Sequence, residues 1–253
     1  SPWGRTLNRI AAEWHEISGG LITLQIYHGG VAGNEADVLR KIKINQLQGG
    51  VLTSSGMNSV TNKMLALSIP MQMRSKEEFL YVFDHVRPQL EASLREERLH
   101  VAGWTFGGWV YFFSRDPIES PESLRGSKLS VTPTEPDMQR AFQLMGYSPV
   151  PISTNEILTA LNSGMVDSFF TSPLAAASFQ FFAIANNMLN IPVAPFLGSV
   201  VISTRVWDRI PDSVKPKLEE AARIAVQEME VEVLALEKEA IDTMVSYGLN
   251  VIT

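Results

Sequence analysis

VKPKLEEAARIAVQEMEVEVLALEKEAIDTMVSY, residues 214–247, carries no helix breaker after its first turn. Pro216 falls within that turn, where a missing N–H costs the helix nothing, and Gly248 is placed to end it. Leu218, Ala222, Ala225, Met229, Val233, Leu236, Ala240 and Met244 recur at steps of three or four and trace one apolar stripe. At about 1.5 Å per residue the helix is about 50 Å long, against about 30 Å for the diameter of a small domain. The stripe drifts through alanines and sustains no a/d heptad, which argues against a free coiled coil. A helix of this length spans two lobes, and two lobes imply a cleft that holds a ligand. The acidic residues Glu219, Glu220, Glu228, Glu230, Glu232, Glu237 and Glu239 read as its solvated face.

Upstream, helix and strand patterns alternate, which predicts an α/β fold with mainly parallel sheets covered by helices. Leu7, Ile10, Ala11, Trp14 and Ile17 lie at helical spacing and Gly19-Gly20 stops that helix. Residues 21–27 read as a strand. Asn34 can cap a second helix with Val38, Leu39 and Ile42 on its apolar face, and 50–53 is a short strand. Ser75 with Glu78, and Ser153 with Glu156, have capping-box spacing. Further strands are expected at 100–105, 109–114, 128–132, 148–151 and 166–171, and helices at 137–145 and from Pro173.

The whole chain bounds the chemistry. Its 253 residues are 45% hydrophobic and 19% charged, the balance of a globular protein. A formal net charge of -6 without a basic run excludes nucleic acid as a partner. The most apolar window, 169–189, is interrupted by Ser172, Pro173, Ser178, Gln180, Asn186 and Asn187, short of the roughly 18 apolar residues of a membrane span. With no cysteine there is neither a disulfide nor a thiolate nucleophile. The four histidines share no metal-ligand spacing, so no metal and no cofactor is expected. Gly29-Gly30-Val31-Ala32-Gly33 lacks the order of a phosphate loop and reads as a tight turn. Nothing assembles a nucleophile with its base, and the chain reads as a binder, not an enzyme.

The aromatic residues carry more information. Trp104, Phe106, Trp109, Tyr111, Phe112 and Phe113 crowd one β-rich segment, and Phe169-Phe170 end another strand. Alternation lets only one face of each strand meet the core, so the group as a whole points to an aromatic-lined cleft. Ser54-Ser55-Gly56 follows a strand at the end where α/β folds place ligands. Met57 begins a set with Met64, Met71 and Met73 that offers adaptable apolar surface.

Several blocks, in order, are similar to one family. They are Ala12-Glu13-Trp14 with Ser18-Gly19-Gly20, Tyr27-His28-Gly29-Gly30 with Gly33-Asn34-Glu35, and Leu67-Ser68-Ile69-Pro70. Ser120-Pro121-Glu122-Ser123-Leu124-Arg125-Gly126-Ser127-Lys128-Leu129, Ala160-Leu161-Asn162-Ser163-Gly164-Met165-Val166-Asp167 and Trp207-Asp208-Arg209-Ile210-Pro211 follow. Over essentially its full length the chain resembles the substrate-binding proteins of TRAP (tripartite ATP-independent periplasmic) transporters. The resemblance implies a two-lobed α/β clamp like other periplasmic binding proteins, with a cleft between the lobes and the long C-terminal helix spanning both. The expected lobes are 1–106 with 197–231, and 107–196 with 232–253. It further implies a periplasmic location with lipid anchoring through a removed N-terminus, a strand just before Ser1, a small-molecule ligand, and delivery to the membrane permease subunits.

Three departures redirect the ligand. Where typical members follow the segment matching Lys128-Leu129 with an arginine that clamps a carboxylate, this chain has Ser130; a second arginine position holds Val110. The stretch after Asp167, commonly Gln, Glu or Asn, is Phe169, Phe170, Thr171 and Ser172. Losing one partner of a buried charge pair costs about 2–5 kcal/mol, and a serine offers one donor where the guanidinium offers five. The expected ligand is therefore apolar or aromatic, met by Trp104, Trp109, Val110, Phe169, Phe170 and Met57, and oriented by Ser54, Ser130, Thr132 and Thr171. Arginine-lacking members include a branch that works with a tetratricopeptide-repeat partner. The alternative is accordingly an apolar-ligand or lipid carrier of the same fold, serving a soluble partner apart from TRAP transport.

Overall fold

The computed structural model describes residues 2–133 and 135–253. Seven strands form one open sheet: β1 (Gly49–Thr53), β2 (Leu99–Ser114), β3 (Lys128–Val131), β4 (Ser148–Pro151), β5 (Ser168–Thr171), β6 (Asn187–Ser203) and β7 (Asn250–Ile252). The hydrogen-bonded order is β1-β6-β2-β5-β3-β4, with β7 paired to β6 off this path. The chain divides into two compact units, Ser1–Lys63 with His85–Gly107 and Leu197–Val233, and Met64–Asp84 with Gly108–Phe196 and Leu234–Thr253. Residues 64–84 belong to the second unit, an interruption that the expected segment 1–106 does not contain. There Leu65 and Met71 pack on the core around Phe112 and Phe142, and the Met71 N–H donates to the Val193 carbonyl at 2.6 Å.

In the first unit, helix Pro2–Ile17 turns Ile10 and Trp14 inward against Val200, Ile202, Trp207, Leu218, Ala222 and Ala225. The Trp14 indole donates to the Leu218 carbonyl at 2.9 Å, which satisfies a polar atom that burial would otherwise strand. Helix Glu35–Lys43 starts with the full capping box of Asn34 and Asp37 and buries Leu39 and Ile42. Residues 21–27 form no strand, contrary to their pattern: exposure alternates along them, but no ladder partner is present among the described residues. The side chains of Ile22 and Leu24 still reach the Trp14 core, so the periodicity reported a half-buried extended segment without a sheet.

In the second unit two apolar clusters flank the sheet. One gathers Phe113, Leu161, Val166, Phe169, Phe181, Met188 and Met244, and the other Phe112, Leu124, Leu129, Val131, Met138, Phe142 and Leu189. The sheet is mixed, not mainly parallel. β3 runs parallel to β4 and β5, and β6 to β7, whereas β1–β6 and β2–β5 are antiparallel. The expected strands at 100–105 and 109–114 are one continuous β2, carried through the middle by Gly108 at φ +93°. β6 escapes the sequence reading altogether, because Pro192 and Pro195 break the pattern of a strand. At Ser153 the Glu156 N–H meets the backbone carbonyl at 2.8 Å and no side-chain cap forms. The 3-10 turn Thr154–Glu156 supplies that bond from the backbone, as i→i+3 turns do.

The long helix is Lys215–Ser246, with Lys215–Val233 in the first unit and the remainder in the second. Its stripe is buried from Leu218 to Met229, half-buried at Val233 and Leu236, and buried again at Ala240 and Met244. Among the described residues no helix is long and apolar enough to cross a membrane.

Candidate functional site

The second unit gathers most of the expected ligand residues at one edge of its sheet. β3 and β5 run parallel, with Leu129 beside Ser168, so their carboxyl ends emerge together. Each leads to a helix, Pro136–Leu144 and Pro173–Ser178. β2 lies antiparallel on β5 with Tyr111 opposite Thr171, Phe112 opposite Phe170 and Phe113 opposite Phe169. That register sets Trp109 and Val110 just beyond the end of β5. Trp109, Val110, Thr132, Phe170 and Thr171 share this edge, and all five are half-buried. It is also the end of an α/β sheet where ligands bind.

Ser130 and Phe169 lie deeper. Ser130 is 4% exposed within β3, and Phe169 is fully buried. The Phe169 ring stacks on Phe113 at 5.1 Å and 4°, with the Phe181 ring edge-on at 5.3 Å. Phe170 points to the opposite face, tilted on Phe142 at 5.0 Å, because successive strand residues alternate. Phe169 thus holds the core, and its neighbour reaches the edge.

The remaining three candidates belong to the first unit and do internal work there. Met57 is fully buried and its sulfur accepts the Ser199 hydroxyl at 3.2 Å. The Ser54 hydroxyl accepts the Leu197 N–H at 3.1 Å. The Trp104 indole donates to Glu91 at 2.9 Å.

One residue read as solvated is not. Glu237 on the long helix is 8% exposed, and its Oε2 accepts the Leu174 N–H at 3.2 Å, three residues past the end of β5. Burial pushes its carboxyl up to about 7 from the ordinary 4.5, against the pull of the Leu174 and Ser172 hydrogen bonds. The signal was its spacing, four residues after Val233 and three before Ala240, which places it on the apolar stripe. Glu230 also leaves the solvated face, accepting the Phe106 N–H at 3.4 Å. Among the described residues no group of His, Asp or Glu could hold a metal ion. Chemically, the edge offers aromatic faces and hydroxyl groups, and none of its five side chains is basic.

The sequence model of DctP, the bacterial extracellular solute-binding protein family 7, matches residues 1–253. The chain belongs to that family. Among DctP-like relatives, a solute-binding protein of Chromohalobacter salexigens is 22% identical over 229 residues, covering 90% of this chain and 68% of the relative. The sialic acid-binding periplasmic protein SiaP of Vibrio cholerae is 24% identical over 251 residues, 96% of this chain and 76% of SiaP. Solved folds agree. A TRAP periplasmic solute-binding protein of Chromohalobacter salexigens with bound D-glucuronate superposes with TM-score 0.88 at 20% identity, over 99% of this chain and 84% of that one. An apo, open TRAP protein of Rhodobacter sphaeroides gives TM-score 0.84 at 21% identity, over 99% and 82%. The fold of this DctP-family chain is therefore that of the TRAP periplasmic solute-binding proteins.

Proposed function

We propose that the protein is the periplasmic solute-binding component of a TRAP transporter. It captures a small molecule at the carboxyl edge of β3 and β5 and hands it to the membrane permease. The observation that carries the finer reading is the chemistry of that edge: Trp109, Val110, Thr132, Phe170 and Thr171 stand half-buried together, without a basic side chain among them. Aromatic faces and hydroxyls suit an uncharged, largely apolar or aromatic solute oriented by a few hydrogen bonds. A carboxylate there would have to shed water without gaining a charged partner. Ser130, buried and neutral in β3, supplies no such partner either.

A second reading, a carboxylated sugar, is favoured by the relatives: SiaP is named for sialic acid, and the Chromohalobacter fold holds D-glucuronate. The two readings part on what the natively folded protein carries. Organic extraction followed by mass spectrometry, against an empty-vector control, is expected to yield a stoichiometric apolar or aromatic species. A stoichiometric sugar acid would overturn the uncharged-solute reading and leave the transport reading standing.

A further inference from the structure

The long helix buries a carboxyl under the edge just described, and solute capture as argued so far makes no use of it. Glu237 meets that edge from three sides. Past the end of β5 it accepts the Leu174 N–H at 3.2 Å and the Ser172 hydroxyl. Ser172 in turn caps helix Pro173–Ser178, its oxygen accepting the Ala175 N–H at 3.2 Å. On β2, the residue before Trp109 is Gly108 at φ +93°, where an added Cβ would stand 3.6 Å from the Glu237 Cγ. Opposite Thr171, the Tyr111 phenol is pushed up by its burial and then by Glu237.

We infer that Glu237 is a positioning residue of the solute site, pinning the turn after β5 to the long helix and so fixing where Phe170 and Thr171 stand. The inference rests on the reading of the edge as that site. An ionised carboxylate is acceptor-only and takes both donors, through charge-assisted bonds about twice as strong as neutral ones. Protonation turns one oxygen into a donor and weakens the pin. Few other charges bear on the balance. Helix Pro173–Ser178 has no ionisable side chain, β2 presents only Tyr111, and Val233 and Ile241 one turn away are apolar. Lys238 is paired with Asp242 at 2.7 Å in solvent. Burial then leaves Glu237 to titrate near neutrality, at about 7.

The test follows the Leu174 amide by hydrogen exchange between pH 5.5 and 8.5, corrected for intrinsic rates, alongside binding of the neutral apolar probe N-phenyl-1-naphthylamine. Wild-type protection of Leu174 is expected to rise as pH passes 7, because the local opening that breaks this bond leaves Glu237 buried, where ionisation favours the bonded turn. Glu237→Gln, which keeps the shape and one acceptor, should hold the low-pH protection at every pH, and Glu237→Ala should lose roughly tenfold. Probe affinity should follow the same step several-fold in wild type and be flat in Glu237→Gln. Leu174 protection unchanged in Glu237→Ala, or a step that persists in Glu237→Gln, would overturn the pin. Probe binding that is equal in all three proteins would overturn the positioning role and leave the site reading intact. No probe binding to wild type would sink the site reading and the positioning role with it, the exchange data then describing a structural anchor alone.

Discussion

The two units bury different things. The first centres on indoles: Trp14 and Trp207 lie 5.8 Å apart, and His100 stacks on Trp207 at 4.0 Å. The second centres on phenyl rings, Phe112, Phe113, Phe142, Phe169 and Phe181. A titratable group in each is shifted by burial, in opposite directions. Burial, helped by Arg95, pushes His100 down to about 4, whereas burial pushes Glu237 up to about 7. His100 Nε2 stands 3.2 Å from Glu219, whose own carboxyl is raised by burial and by Glu91. That environment favours a neutral imidazole over an ion pair. In the first unit the expected ligand residues Trp104, Ser54 and Met57 are all consumed by internal bonds and packing. In the second, Phe170 and Thr171 at the end of β5 and Thr132 just past β3 remain half-buried. A residue type that suits a ligand marks a site only where the sheet leaves it an edge.

The largest expected effect separates two adjacent residues of β5. Phe169→Ala should cost about 3–5 kcal/mol in urea unfolding, since the ring is fully buried against Phe113 and Phe181. Phe170→Ala should fall within the about 0.5–3 kcal/mol usual for single changes while weakening solute capture. Equal stability losses would break the division between core face and edge.

Next in size is the pH dependence, which has opposite signs in the two units. Neutral His100 contributes stability above its ordinary 6.5 that is lost as pH falls toward 4. Protonated Glu237 contributes stability below its ordinary 4.5 that is lost as pH rises to 7. Each limb is worth on the order of 3 kcal/mol at full extent. His100→Phe, which keeps a ring on Trp207, should flatten the acid limb, and Glu237→Gln the neutral one. Urea midpoints from pH 4 to 8 decide it, and a variant that flattens the other limb would contradict the assignment.

Trp14→Phe should cost about 0.5–1.5 kcal/mol by removing the indole hydrogen bond to the Leu218 carbonyl, which keeps its partner within the helix, read from the same denaturation curves. The smallest effect belongs to Lys238→Ala. Its partner Asp242 and the ammonium group both lie in solvent, so the urea midpoint should not move.

The architecture was legible where periodicity and punctuation agree: the long helix, the Asn34 cap, the short strands β3, β4 and β5, and the helix that Pro173 opens. β6 was not legible, because its two prolines speak against a strand that tertiary pairing nonetheless imposes. Residues 21–27 had the alternation of a strand but no partner, and alternation reports burial, not pairing. That Phe170 and Thr171 end a strand was legible from the sequence. Their separation from Phe169 needed the register of β2 on β5. Glu237 was misread because its charge outweighed its place on the apolar stripe. For Ser130 and Val110 the deciding quantity is energy: losing a clamping partner costs about 2–5 kcal/mol, or roughly 30- to several-thousand-fold in affinity.

Calorimetric titration of ligand-free protein with D-glucuronate, the solute held by a relative of the same fold, tests this account most directly. A solute edge built from Trp109, Val110, Thr132, Phe170 and Thr171 predicts no saturable heat at micromolar protein. Stoichiometric, saturating binding would contradict it and place a carboxylate partner among residues that this edge does not contain.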